Sequence, residues 1–367
     1  MIRHYLPKNI DELAQWYMRY ISPLALVAGF VADNLVLLRR VDLWTSNLLL
    51  FSYLTIAAIC IVVLNLITTG RLRWKWILKA TPIIPVVAQF AFGGLFSGYL
   101  SLYSRSAAVA VSWIFVLIVA ALVLSNERFF RQYIKFSFQI SIFFTVLFSF
   151  LIFFLPVVFK SIGPYMFVLS GIVSLALIAL FLRFIQYLMP ELVARERTKL
   201  ARIIAVIFVI FNILYFSNAI PPLPLALKEI GVYHNVVSTG TGGFRLTDEL
   251  RPWYQGYLPL RPVFHRTPGQ TAYVFAAVFA PSGLATDILH EWQRYDEKTE
   301  EWITAASVRY PILGGRDGGY RGYSFFKNIP PGIWRVNVVT QYGQLIGRVS
   351  FTVEDVATAV PTGESVH

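Results

Sequence analysis

Cysteine is almost missing from this chain: Cys60 is the single one in 367 residues, and it falls inside an apolar run. Neither a disulfide framework nor a cysteine-based metal site can form within one chain. Charge is scarce too, at 14% against 56% hydrophobic residues, which excludes a set of ordinary soluble domains. Acidic residues are short in the first part only. Residues 1–219 hold 19 Lys/Arg and 7 Asp/Glu, whereas residues 220–367 hold 13 of each, so the whole excess of +12 lies before position 220. A basic nucleic-acid face on the C-terminal part is thereby unsupported. No lysine stands inside an apolar run, which excludes a retinal Schiff base. Hydrolase elbows of the GxSxG kind, GxxxxGK[ST] loops and HExxH helices are all missing, and STGTGGFRL is not a GxGxxG fingerprint. The chain is read as a non-enzyme with no cofactor and no metal.

What is abundant is long apolar sequence. Crossing a bilayer core takes roughly 20 mainly apolar residues, and such runs lie near 20–38, 46–68, 81–101, 106–125, 136–158, 164–186 and 201–219. The count is about seven transmembrane helices. Lys and Arg divide unevenly between the connecting loops: fourteen fall on the side of the N-terminus and four (Arg39, Arg40, Arg105, Lys160) on the other. Cytoplasmic loops retain such residues, so the expected arrangement has the N-terminus in the cytoplasm and everything after Ala219 outside. That describes a multi-pass membrane protein, with residues 1–19 as a cytoplasmic amphipathic segment and 20–219 as the membrane domain.

After the last run the texture changes. Three prolines in IPPLPLALKEIGVYH end the helix, and apolar residues then recur at every second position. Trp334, Val336 and Val338 share one face opposite Arg335 and Asn337, while Val349, Phe351 and Val353 stand opposite Arg348, Ser350 and Thr352. With QYGQ between them these are two strands of a hairpin. Further strands are expected at 271–280, 286–295, 302–310 and 320–327. The spacing predicts an all-β antiparallel sandwich, immunoglobulin-like, over residues 220–356. The tail at 357–367 is expected to be disordered.

Two stretches resemble a known family. IPPLPLALKEIGVYH and GGRDGGYRGYSFFKNIPPGIWRVNVVTQYGQLIGRVSFTV are similar to bacterial membrane proteins carrying domain of unknown function 2914. The resemblance implies a small extracytoplasmic β domain joined to several membrane helices. It implies no activity and no catalytic residue.

Candidate sites follow from residue types. The turn from Gly314 to Tyr323 carries five glycines with Arg316, Tyr320, Arg321 and Tyr323, which suits an anionic or sugar-like ligand; equally, it is a sharp connection between strands. Trp253 is the tryptophan of the β region most suited to contacting another surface, while Trp334 alternates as core. His234, His265 and His290 have no ligand spacing and are read as structural. Asp33, beside Asn34 in the first run, is either a proton or ion site or a carboxylate reaching Arg39 or Arg40 at the interface. Gln89, Gln139 and Asn65 are read as interhelical hydrogen bonders, and Gly94 and Gly98 as a close-packing pair. The leading expectation is a membrane-anchored envelope protein whose β domain binds a partner protein or a cell-wall or surface glycan. The alternative is a transport or lipid-handling protein with the sandwich as a cap. Besides the lipid bilayer, no partner is specified, and nucleic acid is not among them.

Overall fold

The computed structural model describes residues 43–106, 135–220, 224–240, 243–250 and 261–367. They form two compact units that meet in sequence between Leu223 and Pro224.

The helical unit runs α1 (Trp44–Thr68), α2 (Lys75–Ala80), a 3-10 turn (Thr81–Ile83), α3 (Ile84–Ser106), α4 (Phe136–Phe159), α5 (Pro164–Leu188) and α6 (Pro190–Phe216). All of these helices except α2 are long and apolar enough to cross a membrane. Among the described residues that gives five candidate spans, where about seven were expected along the chain. The runs at 20–38 and 106–125, and with them Asp33 and Asn34, lie outside the described residues, apart from Ser106 at the end of α3.

One boundary needs correcting. The last helix begins at Pro190, eleven residues before the expected start at 201. Proline at the first helical position has nothing to lose by lacking an N–H, and Glu191 in the first turn complements the helix dipole. The basic residues read as a loop (Arg195, Arg197, Lys199, Arg202) therefore lie on the first turns of a helix.

Helix α4 packs against α1, α5 and α6. Its Phe148 ring stacks on Phe208 and Phe211 of α6 at 5.8 and 4.7 Å and lies 5.7 Å from Phe167 of α5. Two polar contacts cross the interfaces: Asn65 Nδ2 donates to Gln139 Oε1 at 2.6 Å, and Tyr99 Oη donates to the Val146 carbonyl at 2.7 Å. A Cβ at Gly94 of α3 would stand 2.7 Å from the Tyr53 ring of α1, so a glycine is what lets these two helices approach.

The second unit holds β1 (Ala226–Tyr233), β2 (Asn235–Ser238), β3 (Phe244–Glu249), β4 (Val263–Arg266), β5 (Ala272–Phe279), β6 (Ala285–Asp296), β7 (Glu301–Leu313), β8 (Tyr320–Phe326), β9 (Gly332–Thr340), β10 (Leu345–Asp355) and β11 (Thr362–Val366). They make a three-stranded sheet β1-β5-β8, a five-stranded sheet β4-β10-β9-β6-β7 and a second three-stranded sheet β11-β3-β2. Alternating apolar residues from the first two sheets meet in one core: Val232 and Val274 on one side, Trp292, Trp334, Val336, Phe351 and Val353 on the other. Trp334, only 1% exposed, is core as its alternation requires.

Two expectations about the β region are corrected. The sandwich is not wholly antiparallel, because β4 pairs parallel with β10 through Val263–Arg266 and Thr352–Asp355. The tail is not disordered along its length: Thr362–Val366 pairs antiparallel with Glu249–Arg245 as strand β11. Its composition is polar because both its faces are largely exposed, and backbone hydrogen bonding to an otherwise unpaired edge holds it in place.

Candidate functional site

The turn singled out in the sequence does not form one site. Tyr320 lies on the same side of β8 as Gly322 and Ser324, whereas Arg321 and Tyr323 lie on the opposite side, since side chains alternate along a strand. Arg316 places its guanidinium 5.5 Å over the Tyr320 ring. Tyr323, 39% exposed, joins an aromatic row with Phe244 and Tyr273 at 5.9 and 6.3 Å. The glycines are explained by crowding. A Cβ at Gly314 would overlap the Pro281 carbonyl at 1.9 Å, Gly319 has φ +84° against the Val278 backbone, and a Cβ at Gly322 would meet the Tyr310 ring at 2.5 Å. Trp253 lies outside the described residues.

A connected polar site stands elsewhere, on the outer face of the five-stranded sheet. Because Trp334 and Val336 of β9 point into the core, Arg335 and Asn337 point out, and register sets Arg335 opposite Ser350 of β10 and Gln293 of β6, with Arg348 opposite Asn337. Arg335 Nε donates to Gln293 Oε1 at 2.7 Å, which also accepts from Asn337 Nδ2 at 3.2 Å; Gln293 Nε2 in turn donates to Thr304 Oγ1 at 3.1 Å. Arg348 Nε donates to Asn337 Oδ1 at 2.6 Å. Both amides are thus fixed, and among the described residues each guanidinium is hydrogen-bonded through its Nε alone. The Arg335 guanidinium also lies 4.1 Å over the Trp302 ring, a cation–π contact that flattens it on the strand surface.

Electrostatics mark this pair out. Arg335 is pulled down to about 10, first by burial and then by the positive charge of Arg348, against which Glu291 pulls upward. Burial lowers Arg348 as well. Among the described residues neither makes an ion pair with a carboxylate. Two partly buried guanidiniums thus stand as diagonal neighbours on paired strands, Arg348 lowering the proton affinity of Arg335, and among the described residues their terminal nitrogens make no hydrogen bond or ion pair. Such a pair suits an anion with several acceptor oxygens. The outward direction of both arginines and of Asn337 follows from alternation in the sequence, but the second amide, Gln293, comes from β6 and is placed by register alone.

The histidines make two other networks. His290 is fully buried: Nδ1 is 2.9 Å from Ser324 Oγ, which accepts from Trp292 Nε1 at 2.9 Å, and Nε2 is 2.9 Å from Tyr310 Oη. Burial holds its pKa down at about 4 and pushes the Tyr310 phenol up. Near β3, Glu249 accepts from His234 Nε2 at 3.0 Å, His265 Nδ1 at 2.9 Å and the His265 backbone N–H at 2.8 Å. Gln270 Nε2 donates to His234 Nδ1 at 2.7 Å, and its own Oε1 accepts from the Thr267 N–H at 2.9 Å, so the tautomer of His234 is fixed. Burial raises Glu249, yet those hydrogen bonds bring it down to about 2. Sequence reasoning missed Glu249, whose strand has no clean alternation.

Residues 285–353 match the family model described as a protein of unknown function (DUF2914). The match runs from the first residue of β6 into β10, and so contains Gln293, Trp302, Arg335, Asn337 and Arg348, together with the second of the two stretches read from sequence. The first of those stretches lies outside it. No curated protein matches the chain. Among solved structures, an immunoglobulin-like protein from Pseudomonas aeruginosa is similar at 10% identity and a TM-score of 0.19, covering 34% of this chain and 97% of its own. An alkylpurine DNA glycosylase, AlkC, from Pseudomonas fluorescens, bound to DNA containing an abasic site analog, is similar at 9% identity and a TM-score of 0.21, with coverage of 94% and 99%. Likenesses at these scores carry no argument about fold or function.

Proposed function

We propose that this is a membrane-anchored binding protein of a bacterial cell envelope. In this reading about seven helices hold the N-terminus in the cytoplasm, and an immunoglobulin-like β domain outside captures an anionic envelope glycan at Arg335 and Arg348. The apolar helices and the C-terminal β region are consistent with a membrane-anchored protein. The observation that carries the binding site is the guanidinium pair that, among the described residues, makes no ion pair with a carboxylate and is fixed through Gln293 and Asn337, with Glu291 near enough to act on Arg335 without pairing. In this reading the site acts by recognition.

The test uses full-length protein in detergent on an array of carboxylated, phosphorylated and neutral glycans. Binding is expected for the anionic set, and Arg335→Gln or Arg348→Gln is expected to weaken it at least about tenfold each, since a hydrogen bond to a charged group contributes roughly 1.5–3 kcal/mol. Equal retention of neutral glycans, or an undiminished signal from the double variant, refutes the reading. Capture of an acidic protein from the envelope with no glycan signal would move the partner to that class.

A further inference from the structure

The helical unit has a feature independent of the β domain. Helices α5 and α6 are antiparallel and are joined at Met189 with almost no loop. Between them lies a groove of about 610 Å³. Arg183 sits six residues before that turn and Arg197 eight after it, so at 1.5 Å per residue the two stand at about the same level, roughly 9–12 Å from the turn. Both line the groove, with Gln186 beside them; beyond them, away from the turn, the lining becomes apolar through residues such as Leu175, Ile178, Ala179, Ile204 and Phe208.

Charge decides what fits. Among the described residues neither Arg183 nor Arg197 has an ion pair or a hydrogen bond, and the acids nearby are otherwise placed: Glu196 pairs with Lys199 at 3.4 Å, and Glu191 lies in the first turn of α6. A cation carried within an apolar helix is costly without a counter-charge. A groove with two guanidiniums at one level and hydrocarbon-like walls beyond has the polarity of one phospholipid: head at the arginines, acyl chain along the apolar part.

We propose that the α5–α6 groove binds one anionic phospholipid from the leaflet bordering the α5–α6 turn. The phosphate and any further headgroup charge lie between Arg183 and Arg197, with Gln186 as an additional donor. One acyl chain lies in the cleft between Ile178 and Ile204. The lipid serves as the counter-ion of Arg183.

Full-length protein is purified in detergent with equimolar phosphatidylglycerol and phosphatidylcholine, and retained lipids are counted by native mass spectrometry. One phosphatidylglycerol per chain is expected, in preference to phosphatidylcholine and not displaced by inorganic phosphate. Arg183→Gln with Arg197→Gln is expected to reduce that preference by about 30-fold, two cations contributing about 1 kcal/mol each. Ala205→Phe, which narrows the cleft while keeping both charges, should lower the retention of both lipids alike. Hydrogen exchange across residues 164–216 shows whether each variant keeps its helices. Equal retention of the two lipids by the unaltered protein overturns the proposal, with or without a foldable variant; so does an unchanged preference in the double glutamine variant.

Discussion

Acidification should loosen the β domain through one residue, His290. In the folded chain its imidazole is buried with a pKa of about 4, against 6.5 for the free side chain. Neutral His290 satisfies both neighbours in either tautomer, because Ser324 Oγ and Tyr310 Oη can each donate or accept. Protonation keeps both contacts possible, with two imidazole N–H donors, so its cost is that of burying a charge and not of losing a hydrogen bond. The sign follows from proton counting: between pH 6.5 and 4 the unfolded chain binds a proton that the folded chain does not, so stability falls as pH falls. The two values give a loss of about 2 kcal/mol at pH 5 and about 3 kcal/mol at pH 4 relative to pH 7. The assay is hydrogen exchange of peptides from β6 and β9 in the full-length protein in detergent, compared at matched intrinsic exchange rates. His290→Gln should be less stable at pH 7 and much flatter in pH. If the variant and the unaltered protein lose equal stability between pH 7 and 4.5, burial of His290 is not the source of acid sensitivity and the reasoning fails.

Glu249 acts in a lower window. Its pKa falls from 4.5 to about 2, so its contribution is fully present above pH 4.5 and is lost as pH drops toward 2; Glu249→Gln should cost about 2–3 kcal/mol at pH 7, read as faster exchange in β3, because it removes the carboxylate that accepts three hydrogen bonds. Gly322→Ala pushes a methyl group to 2.5 Å from the Tyr310 ring and should cost about 1–3 kcal/mol while detaching Tyr310 from His290, visible as a rise in the apparent pKa of His290 toward 6.5 by NMR. In the helical unit, Asn65→Leu or Gln139→Leu should each destabilise by about 1–2 kcal/mol, and the double variant by less than their sum, in a thermal-unfolding cycle in detergent.

How much of this was legible in sequence depends on whether the signal is local. The apolar runs at 46–68, 136–158 and 164–186 fall almost residue for residue on α1, α4 and α5, because a bilayer-length helix satisfies its own backbone and needs only composition to declare itself. The start of α6 was hidden for the opposite reason: its first turns are basic, and hydropathy cannot distinguish a polar helix end from a loop. Strands β6 to β10 could be read because each turns one face to the same core, and β5 because both its faces are buried and its sequence is a short continuous apolar run. Strands β1 to β4 and β11 pack on mixed or exposed faces and leave no period-2 trace.

The sites diverge further from the sequence signal. Glycines clustered from Gly314 to Gly322 attracted a ligand reading, yet three of them are where backbone or ring atoms crowd in, and the arginines and tyrosines between them point to two different faces. Arg335 and Arg348 looked like ordinary outward residues of alternating strands. What makes them a pair is their neighbours across the sheet, two amides where carboxylates would have quenched the charge, and that depends on the register of β6, β9 and β10. Exchanging Asn337 for Asp is therefore the most economical way to silence the face: a carboxylate in that position would neutralise Arg348, raise its pKa, and remove anionic-glycan binding without altering either arginine.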